Sequence, residues 1–442
     1  MRILIAFYSL NNLGGIINSH ECLVAGFQAL GHSVENRLLV WTREVNSHAR
    51  RDRRLQPETG ASGVPFDQQL GWQWPASMKV PYQGAANLKR WKKFASRFDL
   101  IIWQIPVPTM ARENERNVDW TSLYDVHVPQ IVVVHDGNMW DCYPWIYAIK
   151  DKLTGAIGVH PCAYHSLAWL PVPRAMALSP QVNIAGRVKA ADAHSERSGW
   201  CSFQTFKGWK RVDELVRAVP HMANTERKIL GGGGLHYHYM TSKDKLKPEY
   251  IADRIRDPDL PHAHVGERIW NLALKGGMEY AGYVHNDDRD HHLRAARFLI
   301  DPSWSKKCAN IGDHFNRTTV EAIISGCVPI ARNLGVATNE AGNGEFFKAG
   351  DNYLMIPSDA KPKEFADSVD AFVAMNESDR RAILEEGRRL LPLFDYRRTA
   401  QTFIDLANGK PAGIYAKKDD RGRYYAPLAR DAAEAIATFF SL

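Results

Sequence analysis

The sequence predicts an α/β chain built as two doubly wound, parallel-sheet domains, on three observations. Short unbroken runs of β-branched residues and leucine recur in both halves, without the alternation of a half-exposed strand. Most are followed by a segment of helical apolar spacing, the signature of strand–helix–strand units covered on both faces. With 442 residues, the chain is long enough for two or three domains, each with its own core.

Taken in order, Arg2–Tyr8 is an apolar run sized for a buried strand, followed by the turn Asn11-Asn12-Leu13-Gly14-Gly15. A helical pattern through Leu23, Phe27 and Leu30 stops at Gly31, a natural C-terminal glycine. Val34–Val40 reads as the second strand, and the stretch after it, to about Arg97, as too polar for core. Asp99–Ile105 and Gln130–His135 read as two more buried strands. After a Pro-rich passage (Pro161, Pro171, Pro173, Pro180), the small polar segment Ala190–Arg197 reads as a linker. Beyond it the alternation resumes. Asp213–Val219 is helical, Lys228–Leu230 is a strand end running into Gly231–Gly234, and Met278–Val284 is a strand. His291–Ala296 is helical, Phe298–Ile300 is a strand ending at Asp301-Pro302, a helix runs through Thr319–Ser325, and Val328–Ile330 is a strand. The expected division is 1–190, 191–410, and a tail 411–442 whose helix at Ala432–Phe440 can return to the first domain.

At 45% hydrophobic and 24% charged, no stretch approaches the ~20 unbroken apolar residues that crossing a bilayer requires, so integral membrane association is not expected. The N-terminus reads as a strand and not as a secretory leader. Six scattered cysteines without a CxxC pair suggest reduced thiols and a cytoplasmic protein. The formal net charge is +7, and the segment Arg43–Arg97, with eleven basic residues against four acidic ones, matches that whole excess. Such a local field attracts a polyanion or an anionic surface, or serves only solubility. The basic candidates for nucleic acid are Arg50, Arg51, Arg53, Arg54, Lys89, Arg90, Lys92 and Lys93, with Trp72, Trp74 and Trp91 interleaved.

In open α/β sheets, ligands bind outside the carboxyl ends of the strands, where helix N-termini present unpaired N–H groups. Three segments have that form. Gly14-Gly15 lets a phosphate approach the backbone, though paired glycines are equally a tight turn. Gly231–Gly234 lacks the Lys-Ser/Thr of a P-loop. The third is the most specific. Asp313 lies in a loop and Glu321 eight residues later in a helix, with Asn316, Arg317, Thr318 and Thr319 at the helix start. One carboxylate at each end of a phosphate-sized N–H cluster suits a nucleotide-sugar. Asp313 would bind sugar hydroxyls, Glu321 the ribose hydroxyls, and the helix start the diphosphate. Asp288-x-Asp290 has the form of a metal-binding pair but sits at a helix start, where capping is the expected role. The histidines at 236, 238, 262, 264, 291 and 292 lack zinc-site spacing, so no metal and no cofactor beyond a co-substrate is expected.

Asp313-x7-Glu321 followed by Ala322-x3-Gly326-x-Val328-Pro329 resembles the donor signature of retaining glycosyltransferases of the GT-B fold. Gly14-Gly15 with Gly31-His32, Phe206-Lys207-Gly208 and the strand running into Gly231 match in the same order, so the resemblance covers the chain to about residue 410. It implies that Lys207 neutralises a donor diphosphate, the nucleotide being UDP. An arginine usual five residues before that lysine is Ser202 here, with Arg197, Arg211 and Arg317 as candidate replacements. Within that group the chain resembles the DNA α-glucosyltransferases of T-even bacteriophages. Met1–Ala6, Asp99-Leu-Ile-Ile with Pro106-Val-Pro, Val132-Val-Val-His135-Asp136, and Phe206-Lys-Gly with Trp200 upstream carry this likeness. It implies sugar transfer from a UDP-sugar to a flipped 5-hydroxymethylcytosine-like base in duplex DNA, in the host cytoplasm. It also implies catalytic roles for Asp136, on the acceptor hydroxyl or the sugar's positive charge, and for His135, on the sugar. Trp140 and Trp145 follow as stacking candidates. Two other readings stay open: the same fold acting on a lipid, polysaccharide or small molecule, and a DNA- or sugar-binding module without turnover.

Overall fold

Every strand pairing among the described residues is parallel, as β-branched runs buried on both faces require. The computed structural model describes residues 1–7, 15–38, 72–73, 85–104, 120–135, 143–194, 196–205, 210–233, 273, 276–282, 284, 286–303, 317–332 and 346–414. In chain order the first elements are β1 (Arg2–Phe7), α1 (Gly15–Ala29), β2 (Ser33–Leu38), β3 (Trp72–Gln73), α2 (Ala85–Ala95) and β4 (Leu100–Trp103). Next come β5 (Gln130–Val134), α3 (Tyr143–Ala148), β6 (Gly155–Gly158), α4 (Pro161–Ser166) and β7 (Arg174–Met176). The second series is α5 (Ile184–Asp192), β8 (Trp200–Thr205), α6 (Val212–Ala218), β9 (Lys228–Gly233), β10 (Glu279–Gly282) and α7 (Asn286–Ala295). It continues with β11 (Phe298–Asp301), α8 (Arg317–Ile324), β12 (Val328–Arg332), β13 (Leu354–Ile356), α9 (Pro362–Val373) and α10 (Glu377–Arg388), and α11 (Tyr396–Ala407) follows.

The chain divides into two units, Met1–Val182 with Leu393 onward, and Asn183–Pro392. The first holds a seven-stranded sheet in the order β3-β2-β1-β4-β5-β6-β7, the second a six-stranded sheet in the order β10-β9-β8-β11-β12-β13. Each order reverses once, between β1 and β4 and between β8 and β11. Those reversals open the crevices where doubly wound sheets bind ligands.

Within the first unit, alternate strand residues feed two cores. Ile3 and Ile5 pack with Leu23, Phe27, Phe403 and Leu406 under α1 and α11. Leu4 and Ala6 face the other way, toward Trp91, Trp103, Tyr124 and Leu167. Two sequence expectations change here. The basic stretch ends inside the core: α2 buries Trp91, whose indole N–H donates to the Leu123 carbonyl at 2.7 Å. Amphipathic spacing within a lysine-rich helix explains this, because only one face needs to be apolar. The segment 190–197 is also no simple linker, since α5 runs to Asp192 and the Arg197 guanidinium donates to three backbone carbonyls. The helix expected at 432–440 lies outside the described residues. Among the described residues no helix is long and apolar enough to cross a membrane.

Candidate functional site

In the second unit, α8 is the element around which charge gathers. Its first N–H groups have no acceptor within the helix, so its start carries partial positive charge. Thr318 to Ile324 are all buried. Its far end is closed by Gly326, at φ +85°, and by Arg197, which donates to Ser325 O at 2.8 Å, Ala296 O at 3.3 Å and Ala191 O at 2.7 Å. A Cβ on Gly326 would fall 2.5 Å from the Arg197 Nη2, so the glycine is what admits the guanidinium. Arg197 therefore serves the carbonyl end of α8, about 12 Å from its start for eight residues at 1.5 Å each. It does not replace the diphosphate arginine missing at Ser202.

Glu321, one turn into α8, is 2% exposed. Its Oε1 accepts from Arg317 Nε at 2.7 Å, an i,i+4 pair, and its Oε2 meets Arg289 Nη2 of α7 at 2.6 Å. Arg187 of α5 adds a third positive charge, itself held by a two-pronged pair with Asp290 at 3.0 and 2.8 Å. Burial alone would raise the Glu321 carboxyl. The guanidinium groups of Arg289, Arg317 and Arg187 outweigh it and hold the group below the ordinary carboxylate range. An ionised carboxylate offers about four lone-pair directions: Arg317 takes one on Oε1, while Oε2, in ion-pair contact with Arg289, has no hydrogen-bond partner among the described residues. Elsewhere on α8, the buried Thr319 Oγ1 has no hydrogen-bond partner among the described residues.

Asp290 is thus an ion-pair residue and not the helix cap expected for it, being the fifth residue of α7. Among the described residues, no cluster of three or more His, Cys, Asp or Glu is placed to hold a metal ion. Arg211, in the left-handed region at φ +52°, donates to Glu214 at 3.1 Å, and the buried Arg332 pairs with the same carboxylate at 2.5 Å. Ser202 is fully buried in β8. Gly231–Gly233 are strand residues rather than a phosphate loop. Gly232, at φ +122°, has its Cα so near the Gln204 carbonyl that a Cβ would fall 1.8 Å from it, and Gly231 lies against the Phe203 ring. Lys207, Asp313, Asn316 and Gly234 lie outside the described residues.

In the first unit, Gly15 opens α1 and His135 directly follows β5. His135 Nε2 lies 2.6 Å from Gln104 Oε1, at the end of β4. An amide oxygen only accepts, so Nε2 carries the proton and Nδ1 keeps its lone pair. Burial pulls the His135 ring down to about 4, leaving it neutral at pH 7. His160 fixes the backbone there: its Nε2 donates to the His135 carbonyl at 3.2 Å, and its Nδ1 accepts from Ala163 N–H at 3.2 Å. His20 of α1, fully buried and paired with Asn36, is pulled by burial to about 3. Gln104→Glu should raise the His135 titration by about one unit or more, since a carboxylate beside Nε2 favours the charged ring. An unmoved ring resonance in an NMR titration would show that the Gln104 contact does not form. Asp136 and Gly14 lie outside the described residues.

The basic candidates divide similarly. Lys89 and Lys93 are exposed on α2, where Arg90 also lies, while Lys92 approaches Asp125 at 3.4 Å, beside Lys152 at 2.5 Å on the same carboxylate. Arg50, Arg51, Arg53 and Arg54 lie outside the described residues.

No family model matches this sequence, and no curated protein does. Solved structures do. Anabaena HepE, in complex with UDP and glucose, superposes with a TM-score of 0.59 over 92% of this chain and 100% of its own, at 12% identity. An alpha-glucosyltransferase in complex with UDP and a 13-mer DNA gives 0.57, with 92% and 100% covered, at 12% identity. A TarM variant from S. aureus, in complex with Fondaparinux, alpha-GlcNAc-glycerol and UDP, gives 0.56, with 92% and 99% covered, at 11% identity. The fold is GT-B. In the chain, α8 comes after β11, one strand of the reversal in the second sheet; Gly15 and Gln104 come after β1 and β4, the two strands of the reversal in the first, and His135 after the neighbouring β5. Sequence reasoning brought out Glu321 through its spacing from Asp313, and Arg317 as part of the helix start between them. It missed Arg289 and Arg187, because Arg289 sits within Asp287-Asp288-Arg289-Asp290 and the acids draw attention to themselves. Gln104 carried no signal at all.

Proposed function

We propose that this chain is a retaining glycosyltransferase that takes a sugar from UDP and delivers it to a modified, 5-hydroxymethylcytosine-like base in duplex DNA. The observation that carries the donor half is the buried Glu321 carboxylate, held ionised beside the start of α8 in a GT-B fold. Three similarly folded proteins were solved with UDP, which supports that nucleotide. In this reading Glu321 accepts from the ribose hydroxyls, while Asp313 binds the sugar. The N–H groups of Asn316, Arg317, Thr318 and Thr319, with Lys207 and the backbone at Gly14-Gly15, stabilise the departing diphosphate. Positive charge supplied in this way needs no metal ion or further cofactor.

On the acceptor side, His135 presents the Nδ1 lone pair to a sugar hydroxyl while Gln104 holds Nε2. Asp136 orients or deprotonates the attacking hydroxyl, or steadies positive charge on the sugar. The basic residues Arg50, Arg51, Arg53, Arg54, Lys89, Arg90, Lys92 and Lys93 would grip phosphates, a sequence-independent contact. The DNA-bound alpha-glucosyltransferase of the same fold supports that acceptor. A carbohydrate or glycerol-linked acceptor is the second reading, supported by the ligands held in the TarM structure.

UDP-glucose turnover measured with duplex DNA carrying or lacking hydroxymethylcytosine, and with glycerol-linked or oligosaccharide acceptors, separates the readings. Turnover stimulated only by the modified duplex is the expected result. Stimulation only by a carbohydrate acceptor sinks the DNA assignment, and tight DNA binding without turnover marks a binding module. Asp136→Ala should slow transfer while leaving UDP binding intact.

A further inference from the structure

We propose that Arg289 is a positioning residue for the nucleotide, holding one oxygen of Glu321 so that the carboxylate meets the ribose hydroxyls in a fixed orientation. This rests on the donor reading above. The geometry is a relay of three helices. Arg187 on α5 clamps Asp290 on α7 through two hydrogen bonds of 3.0 and 2.8 Å, which fixes the rotation of α7. The neighbouring residue on α7, Arg289, then reaches Glu321 on α8 at 2.6 Å. Arg317 takes the other carboxylate oxygen from within α8. A carboxylate held by one arginine alone can swing about its last torsion. Held from two helices, it keeps its plane, and its remaining lone pairs point in set directions.

Other charged groups packed against α8 act elsewhere. Arg197 and, from α10, Arg380 face the carbonyls at the Ser325-Gly326 end. At the strand ends, Asp301 accepts from Ser303 and Arg332 pairs with Glu214. Among the described residues, the charges acting on Glu321 are therefore those of Arg187, Arg289 and Arg317, with Asp290 tempering the first. Removing Arg289 leaves burial with less opposition, so the carboxyl becomes easier to protonate and a bond acceptor turns into a donor.

The test is UDP affinity of wild type, Arg289→Met and Arg289→Lys across pH 5 to 8, taken as variant-to-wild-type ratios so that titration of the UDP phosphate cancels. Arg289→Met should bind more weakly at every pH, and once the pH falls below the raised value of the carboxyl the ratio should drop further, by about tenfold for each pH unit. Arg289→Lys, which keeps the charge but not the planar fork, should recover the flat ratio while binding more weakly than wild type. Melting curves identify a variant that has not folded; Arg289→Gln, polar but uncharged, then takes the place of Arg289→Met and should show the same pH-dependent ratio. A ratio for Arg289→Met that stays constant across pH, or stays at one, overturns the inference while the donor reading stands. A wild type that binds no UDP overturns that reading, and this inference with it.

Discussion

Glu321→Leu is expected to cost the protein about 3–5 kcal/mol and to remove UDP binding, because it strips the buried carboxylate from the arginines packed around it. Arg289 and Arg317 are 14% and 12% exposed, so water cannot take the carboxylate's place. Against a total stability of about 5–15 kcal/mol, that loss is large enough to move a urea midpoint substantially. Glu321→Gln keeps the shape and loses the charge, which separates packing from electrostatics. Because the folded carboxyl is held below its ordinary value, its contribution is fully present above the unfolded value of about 4.3 and is lost as pH falls through the folded one. The gap in urea midpoint between wild type and Glu321→Gln should therefore be widest near pH 7 and shrink below about pH 4. A gap that does not change with pH would mean that Glu321 is not ionised in the folded protein.

That pair also marks what the sequence could reveal. Arg317 and Glu321 are four residues apart on one helix, so their contact follows from local geometry alone. The same holds for the strands, whose β-branched runs are buried wherever they form, and for Gly31, whose φ of +80° ends α1. Arg289 and Gln104 reach their partners across the fold, and no local pattern encodes which residue on α7 or at the end of β4 will face the crevice. Composition misled in one place: lysines around Trp91 read as a polyanion surface, yet the indole is core while Lys89 and Lys93 remain exposed. A helix satisfies both descriptions at once, because its two faces answer to different solvents.

The boundary between units posed a harder problem. Reading along the sequence puts a domain end near residue 410, whereas the chain rejoins the first unit from Leu393 and lays α11 on the same sheet face as α1. Asp395 caps α11 by accepting from Arg397 and Arg398 N–H, and the Phe27 and Phe403 rings meet edge-on at 5.9 Å. The helices approach so closely at Gly26 that a Cβ there would lie 2.3 Å from the Tyr396 carbonyl oxygen and 3.0 Å from Ala400 Cβ. Because the obstruction is backbone, no rotamer change relieves it. Gly26→Val should cost about 3 kcal/mol or more by overpacking, despite a better helix former replacing glycine. Hydrogen exchange should accelerate across 396–407, where α11 is pushed off. Gly31→Ala is the control: nothing lies within 4 Å of its Cβ, so only the positive φ is penalised, by about 1–2 kcal/mol. The ion pairs among Arg187, Asp290, Arg289 and Glu321 should survive Gly26→Val, since they belong to the other unit. Equal effects of Val at 26 and Ala at 31 would show that α1 and α11 are not in backbone contact, and that the C-terminal return contributes little to the first unit.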